Sequence, residues 1–355
     1  MPSISLAETS AHFWLAVIAF TSISMTQSQK CACDSSNDFI RVSDSLCFKN
    51  MDDGHLFIPP TAMFGDDVNH TEFLNALDLN GEPFFRLNVD THLLETMEPL
   101  YFGGVLIISD GVSILIDTGV GEVAPFVSIE KKEGVTSLYQ NLHDIGCGDI
   151  DVVVSSHLHW DHTGWNIRYD REQTAESEPG YVPSFDRSTV YYVQSDEYYY
   201  WKSYKLSQDD HPAIKQTMKQ MMTHVGTLMD AGQIALRFGD YHLTKNVEVK
   251  RCIGHTPGHQ CVYLYDDAKQ PKVMLIGDAT HSPYQVTKPS AYSVWDDDDE
   301  LAAKTRLDLI EYAYQHSMLF APLHYPGMGV IEKCEAGDRC RSQSGFVWRR
   351  FTDNE

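Results

Sequence analysis

The chemistry-bearing residues of this sequence are concentrated in one short stretch. Residues 152–154 are three valines, a β-branched apolar run typical of a strand that is buried on both faces. His157, His159, Asp161 and His162 follow within a few positions. Imidazole nitrogen and carboxylate oxygen are the mixture of ligands that zinc, iron or manganese accepts. The stretch therefore predicts a metal-binding loop at the end of a buried strand.

The spacing of these four side chains indicates two metal ions. His157 and His159 lie two positions apart, so in an extended backbone they point to the same side and can bind one ion. Asp161 and His162 follow a turn and face another direction. A lone histidine is more often a hydrogen-bonded core or surface residue than a ligand. Three imidazoles and a carboxylate at one strand end would, however, be costly to bury without a partner.

Two ions need more ligands than one loop supplies, and three later segments offer them. Each segment follows an apolar strand and places histidine or aspartate beside glycine, which lets the backbone approach an ion closely. The segments are residues 253–259 (IGHTPGH), 275–281 (LIGDATH) and 320–327 (FAPLHYPG).

Taken together, these motifs resemble the metallo-β-lactamase superfamily over roughly residues 84 to 330. The order HLHWDH, GHTPGH, GD and a late strand-end histidine is that of the family. The stretches GDATHSP and HYPGMG look most like its lactonase and organophosphate-hydrolase branch. The resemblance implies an α/β fold class, a four-layer αββα sandwich.

The resemblance also implies a role for each residue of the motifs. The implied ligands are His157, His159 and His255 for one metal, Asp161, His162 and His324 for the other, and Asp278 as a bridge between both. His259 would orient a neighbouring ligand by a hydrogen bond, and Asp117 would support the ligand loops without binding metal. The family's acyl-homoserine lactonases have a tyrosine three residues after the bridging aspartate to polarise the substrate carbonyl. This sequence has His281 there, which weakens a transfer of their substrate but makes His281 a candidate for a similar task.

The mechanism follows from two adjacent cations, zinc in the first place with iron or manganese as alternatives. Such a pair lowers the pKa of a shared water and polarises a carbonyl or phosphoryl oxygen. Asp161 or Asp278 would take up a proton and return it to the leaving alkoxide, so the predicted catalytic residues are Asp161, Asp278 and His281. Four aromatic residues beside ligands are candidates for the wall of a substrate pocket, with burial in the core as the equal alternative. They are Trp160, Trp165, Tyr284 and Tyr325.

The predicted function is a hydrolase in which hydroxide bound to two zinc ions cleaves a lactone or ester. A thioesterase of the glyoxalase II type and a phosphotriesterase are the alternatives within the enzyme class. A β-lactamase is disfavoured because all seven ligands are present. The alternative outside the enzyme class is a catalytically silent metal-binding protein, which would be expected to have lost ligands.

Composition limits the partners of this chain of 355 residues. A formal net charge of -23 and a pI near 4.9 repel phosphate backbones, which argues against nucleic acid as a partner or substrate. The predicted partner is a small-molecule ester or lactone. We predict no membrane contact after signal cleavage, and homodimer formation stays open.

Three features of the sequence favour secretion. An apolar block at 11–20 lies within a predicted signal peptide at 1–30, although no basic residue precedes it and a buried helix is the alternative. Eight cysteines allow up to four disulfides, and residues 69–71 (NHT) form a glycosylation sequon. The alternatives are a membrane anchor at the N-terminus or a cytoplasmic protein.

The predicted organisation divides the chain at the family match. Residues 31–83 would be a cysteine-bearing extension, 84–330 the hydrolase domain and 331–355 a C-terminal tail. The sequence predicts a hairpin turn at residues 110–111. Helices are predicted over 136–145, 213–231 and 296–316, and a loop over 168–188. Core strands are predicted at 84–89, 189–193, 233–236, 247–253, 260–265, 272–276 and 319–323.

Overall fold

The structure is a computed structural model that describes most of the chain. The described residues are 31–33, 37–66, 68–78, 85–87, 94–122, 128–131, 136–170, 180–325, 327–334 and 342–351. The predicted signal peptide at 1–30 lies outside them.

The strands of the described residues form two seven-stranded sheets and two short hairpins. The first sheet has the order β1 (Ile40–Ser43), β2 (Leu46–Ile58), β5 (Glu98–Ser109), β6 (Val112–Ile116), β7 (Val152–Val154), β10 (Val190–Gln194) and β11 (Ile234–Arg237). The second has the order β12 (Tyr241–Thr244), β13 (Val247–Arg251), β14 (Gln260–Tyr265), β15 (Pro271–Leu275), β16 (Leu319–Ala321), β17 (Gly329–Lys333) and β18 (Phe346–Arg350). The hairpins pair β3 (Phe85–Leu87) with β4 (Leu94–Thr96) and β8 (Ile167–Tyr169) with β9 (Tyr181–Pro183).

Among the strands of the described residues, parallel pairing is confined to the run β6-β7-β10-β11 and to β15-β16. The helices are α1 (Pro60–Phe64), α2 (His70–Asp78), α3 (Leu138–Asp144), α4 (Ser195–Ser203), α5 (Pro212–Gln220), α6 (Gly226–Asp230), α7 (Pro283–Thr287) and α8 (Asp299–Gln315). A π-helical turn, Met221–Val225, joins α5 to α6.

The sheets pack face to face with helices outside them. Alternate residues of a strand point to opposite faces, so Ile107 of β5 packs inward against the second sheet while Leu106 points outward. The outward face of the first sheet packs on α3 through Leu138. The outward face of the second sheet packs on α8 through Ile310. The predicted αββα sandwich is confirmed.

Local signals in the sequence located several elements correctly. At the tip of the β5-β6 hairpin, Asp110 and Gly111 have φ of 53° and 79°, the pair of positive angles that a type I′ turn requires. Helix α3 begins after Ser137, whose hydroxyl accepts from the amide of Gln140, and the chain turns at Gly146 with φ of 72°.

The predicted division at residues 84 and 330 does not follow the sheets. Strand β2 lies before residue 84, yet it pairs with β5 from Leu46 opposite Ser109 to Ile58 opposite Glu98. Strand β18 lies after residue 330 and pairs with β17. Both segments are structural parts of the sandwich, because a sheet edge takes its partner from wherever the chain supplies one. The predicted loop at 168–188 contains most of β8 and all of β9, and its residues 171–179 lie outside the described part.

Disulfides attach the cysteine-bearing segment to the sandwich. Cys31 pairs with Cys147 after α3, and Cys33 pairs with Cys47 in β2. Cys252 pairs with Cys261 and closes the loop between β13 and β14. The described residues contain no free cysteine, and Cys340 is not among them. Within the described part of the chain, no helix is both long enough and apolar enough to cross a membrane.

Candidate metal centre

Four segments carrying the predicted ligands meet at one edge of the two sheets. The loop 155–162 follows β7, and the loop 252–259 follows β13. Residues 277–278 follow β15, and His324 follows β16. Because strand ends at the same edge converge, residues far apart in the sequence become neighbours here.

The first group contains His157, His159, His255 and Asp278, all buried. One nitrogen or oxygen atom from each lies within 4.8 Å of the others. His255 Nε2 lies 3.0 Å from His159 Nδ1, and His157 Nε2 lies 3.7 Å from Asp278 Oδ2. The group contains the three histidines that the family resemblance assigns to one metal.

The second group contains Asp161, His162 and His324, whose ligand atoms also lie within 4.8 Å of one another. Asp278 touches this group as well, because its Oδ1 lies 3.1 Å from His162 Nε2 and its Oδ2 lies 3.0 Å from His324 Nε2. Asp278 therefore lies between both groups, the position that the family resemblance implies for a bridging residue.

Buried polar atoms without partners show that these residues fit metal ions. Among the described residues, His157 Nε2, His162 Nε2 and Asp278 Oδ1 have no partner with hydrogen-bonding geometry. Such atoms are costly to bury unless something else satisfies them, and all three belong to the two groups of close ligand atoms. A set of imidazoles and carboxylates suits zinc, iron or manganese.

The histidines of the cluster differ in the direction in which their surroundings shift the pKa. Burial lowers the pKa of His157 and of His159 well below the ordinary value, and neighbouring imidazoles lower it further. Neutral imidazole is the form that binds a metal. Burial has the same effect on His162, but the charges of Asp278, Asp117 and Asp161 outweigh it and raise its pKa.

Asp117 supports the ligand loop without joining either group. Its Oδ1 accepts from the amide of Ser156 at 2.6 Å, and its Oδ2 accepts from the Ser156 hydroxyl at 2.7 Å. Oδ2 also lies 2.9 Å from His162 Nδ1, which fixes the orientation of that ring. Asp117 has a φ of 58°, a left-handed conformation that directs its carboxylate back to the loop.

His259 supports a ligand other than the one that its sequence position suggests. Its Nδ1 donates to the carbonyl of Cys252 at 3.0 Å, and its Nε2 accepts from the amide of Asp278 at 3.0 Å. Burial lowers the pKa of His259 to about 3, so the ring is neutral and Nε2 can accept. His259 thus positions Asp278, which belongs to a different strand end.

Asp296 is a partner of the site that the sequence did not reveal. Its Oδ1 lies 3.0 Å from His255 Nδ1, and its Oδ2 accepts from Arg306 at 3.0 Å. Burial alone raises the pKa of Asp296, but the hydrogen bond with His255 and the charge of Arg306 outweigh it and hold that pKa below its ordinary value. In the sequence, Asp296 opens the segment predicted as a helix over 296–316, and no spacing rule connects it with His255.

His281 lies beside the bridging position but away from open space. Its Nε2 is 3.3 Å from Asp278 Oδ2, and its ring stacks on that of His324 with centroids 5.4 Å apart. Among the described residues neither ring nitrogen has a hydrogen-bond partner, and burial lowers the pKa of the ring. The catalytic role of His281 stays a prediction.

A cavity of about 220 Å³ opens above the two groups. Its floor includes Asp161, Asp278 and His324, and its wall is almost wholly apolar. The wall residues come from β2, β5, α1, α5 and the segments beside them. They include Leu56, Ile58, Ala62, Leu100, Phe102, Trp160, Ala213, Ile214 and Trp295.

Of the four aromatic residues predicted for the pocket wall, only Trp160 lines this cavity. Trp165 donates its indole N–H to buried Asp53, at 3.0 Å from Oδ2. Tyr284 packs in a separate apolar cluster with α2, and Tyr325 packs in the cluster beneath α8. Proximity to a ligand in sequence did not place these three rings at the cavity, because each side chain points away into the core.

Sequence comparison agrees with the site geometry. A model of the metallo-beta-lactamase superfamily matches residues 104–316, which include every proposed ligand except His324. No curated protein sequence matches the chain at a significant level.

Solved structures share the fold at low identity. A hydrolase, AbOPH, described as belonging to the beta lactamase superfamily, is 19% identical with a TM-score of 0.66 over 88% of this chain and 97% of its own. AidC, a dizinc quorum-quenching lactonase in complex with a product, is 18% identical with the same TM-score and coverage. A probable metal-dependent hydrolase from Staphylococcus aureus is 15% identical, with a TM-score of 0.61 over 88% of this chain and all of its own. At these identities the similarity shows the fold alone.

Proposed function

This chain belongs to the metallo-β-lactamase superfamily of metal-dependent hydrolases, and we propose that it holds two divalent ions, zinc foremost, to cleave a lactone or a carboxylic ester. The observation that carries the proposal is the position of Asp278. It lies between two groups of buried ligand atoms, at the floor of an apolar cavity. When bound, two such ions lower the pKa of a water and polarise a carbonyl oxygen.

The protein side chains bind the ions, orient the ligands and transfer a proton. In the proposal, His157, His159 and His255 hold one ion, and Asp161, His162 and His324 hold the other. Asp117, His259 and Asp296 fix the orientation of these ligands through the hydrogen bonds described above. Asp161 lies at the cavity floor, with its Oδ2 3.7 Å from His324 Nε2, where it can take up a proton from the attacking water and return it to the leaving alkoxide. Asp278 is the alternative proton carrier, and His281 acts beside it.

The wall of the cavity supports an apolar substrate. Among the described residues, the lining includes no lysine or arginine. The carboxylates of a glutathione thioester would therefore find no lysine or arginine partner on that wall, which favours an ester or lactone with an apolar chain over the thioester. The apolar wall suits a phosphotriester equally well, so the substrate panel has to distinguish it from an ester or lactone.

Metal analysis combined with a substrate panel tests the proposal. Elemental analysis of the purified protein should give about two zinc ions per chain. The panel should hold a γ-lactone, an aryl ester, a thioester and a phosphotriester, each assayed with and without a chelator. Lactone or ester turnover that is lost on chelation supports the proposal. A metal-loaded protein that hydrolyses none of the four would contradict it.

Secretion is proposed on separate grounds. The disulfides Cys31–Cys147, Cys33–Cys47 and Cys252–Cys261 are compatible with an oxidising compartment. Asn69 of the sequon is exposed at the start of α2, where its side-chain oxygen accepts from the amide of Thr71 at 3.1 Å. Mass spectrometry of protein from a secreting eukaryotic host would reveal a glycan at Asn69 and the N-terminus left by signal cleavage.

A further inference from the structure

We propose that Glu197 is a positioning residue that joins the two loops supplying His157, His159 and His255, and so sets the affinity of that metal site. The proposal rests on the metal ligation proposed above. Glu197 is not a candidate ligand, because its carboxylate is fully occupied by other contacts. It lies in the first turn of α4, on an element that supplies no ligand.

The carboxylate of Glu197 accepts four hydrogen bonds, two at each oxygen. Oε1 accepts from the amide of Leu158 at 2.9 Å and from the indole of Trp201 at 2.7 Å. Oε2 accepts from the hydroxyl of Thr256 at 2.6 Å and from the amide of Gly258 at 3.0 Å. Leu158 stands between the ligands His157 and His159, and Thr256 directly follows the ligand His255. One side chain therefore holds both loops.

The loop after β13 packs tightly against the start of α4. A Cβ atom on Gly258 would lie 2.3 Å from the backbone nitrogen of Glu197, so the loop touches the first turn of α4 directly. Glu197 itself is 1% exposed. Interiors packed this closely transmit small displacements, so a shift of α4 moves both ligand loops.

The four partners all suit an ionised carboxylate. Burial raises the pKa of Glu197, and the hydrogen bonds from these four donors oppose that effect. All four groups donate, so an acceptor is needed in every direction, and hydrogen bonds to a charged acceptor are the stronger kind. Among the described residues no lysine or arginine forms an ion pair with Glu197, so its charge is held by these donors alone. In Glu197→Gln an NH₂ group replaces one carboxylate oxygen, so at one of the two loops a donor faces the donor groups that the oxygen had accepted from.

The decisive experiment measures zinc affinity without any substrate. Metal-free full-length protein is titrated with zinc in competition with a chromogenic chelator, for the wild type and for Glu197→Gln. We expect one of the two zinc ions to bind about 10- to 100-fold more weakly in the variant, because residues that orient ligands typically have effects of this size. The matched control is Glu332→Gln, which makes the same chemical change in an exposed ion pair with Arg349 on β17 and β18 and should leave both affinities unchanged.

A pair of milder variants keeps the test valid if Glu197→Gln does not fold. Thr256→Val removes one donor to Oε2 and leaves the carboxylate in place, so zinc affinity should fall by several fold. Thr256→Ser restores the hydroxyl and should restore the affinity. A role confined to folding predicts a lower Tm for Thr256→Val with unchanged zinc affinity, and that result would overturn the proposal.

The outcomes separate this inference from the proposed function. A wild-type protein that binds two zinc ions but hydrolyses no substrate contradicts the proposed function, while the affinity comparison still applies. A folded Glu197→Gln protein with wild-type affinity at both sites overturns the positioning role and leaves the proposed function intact.

Discussion

His255 and Asp296 face each other through a single hydrogen bond, with Nδ1 of the imidazole 3.0 Å from Oδ1 of the carboxylate, although 41 residues separate them in the chain. The second oxygen of Asp296 binds the buried guanidinium of Arg306 on α8. Arg306 on the outer helix α8 thus holds Asp296, and Asp296 orients His255, a proposed metal ligand. A carboxylate in this position fixes the tautomer and the orientation of the ring.

Asp296→Asn should weaken zinc binding by about 10- to 100-fold, because an amide cannot supply the same charge to His255 Nδ1. The readout is the zinc dissociation constant of the protein, measured by competition with a chelator. The surface variant Asp308→Asn, which alters an exposed pair with Lys304, is the control and should bind zinc as the wild type does. Equal affinities for Asp296→Asn and the wild type would show that the hydrogen bond between Asp296 and His255 has no effect on zinc affinity.

Asp278→Ala should abolish hydrolysis and leave fewer than two zinc ions per chain. The reason is that Asp278 is the residue in contact with both ligand groups. Elemental analysis and turnover of the best substrate from the panel are the two measurements, and circular dichroism checks that the fold persists. Full activity in this variant would refute the bridging assignment.

Metal removal should lower both activity and stability. Without an ion, buried atoms such as His157 Nε2 and Asp278 Oδ1 have nothing to satisfy them. With free zinc at about 100 times its dissociation constant, binding stabilises the native state by about 2.7 kcal/mol. Thermal unfolding with and without a chelator measures this effect, and added zinc should restore the original Tm. An unchanged Tm after verified metal removal would count against a buried metal site.

Ile58→Phe should discriminate against substrates with long acyl chains. Ile58 lines the apolar cavity at the end of β2, so a larger ring there removes space that such a chain needs. We expect kcat/KM to fall by about tenfold or more for an octanoyl ester and to change little for an acetyl ester. Ile40→Phe, on the exposed first strand, makes the same substitution away from the cavity and serves as the control. A parallel loss for both esters would indicate a general structural defect and not a chain pocket.

His224 should make the protein less stable as the pH falls. Burial lowers its pKa to about 4, and its Nδ1 donates to the carbonyl of Thr163 at 2.9 Å. An unfolded histidine titrates near pH 6.5, so below that pH the unfolded chain binds a proton that the folded chain does not. The contribution to stability is therefore complete above about pH 6.5 and is lost progressively down to about pH 4.

Urea unfolding of the wild type and of His224→Gln at several pH values checks this expectation. The free energy of unfolding of the variant should depend less steeply on pH between about 6.5 and 4, since the other histidines contribute equally to both proteins. Parallel curves for the two proteins over that range would remove His224 as the cause.

The sequence by itself determined the features that depend on local chemistry. A strand followed at once by His157, His159, Asp161 and His162 predicted a metal-binding loop, because such side chains are costly to bury at a strand end unless they bind an ion. Asp110 and Gly111 determined a turn by their tolerance of positive φ. The assignment of ligands to two groups followed from the family resemblance, and the geometry groups them in the same way.

Only the tertiary structure decided which distant residues support those ligands. The carboxylates of Glu197 and Asp296 reach the ligand loops because α4 and the segment before α8 pack against strand ends, and no periodicity in the sequence encodes that contact. The cavity wall likewise draws Leu56, Phe102 and Ile214 from separate elements, and each of them reads in the sequence as ordinary core. Backbone turns and ligand types are local properties of the chain, whereas orientation of a ligand and the shape of a cavity arise from packing between elements.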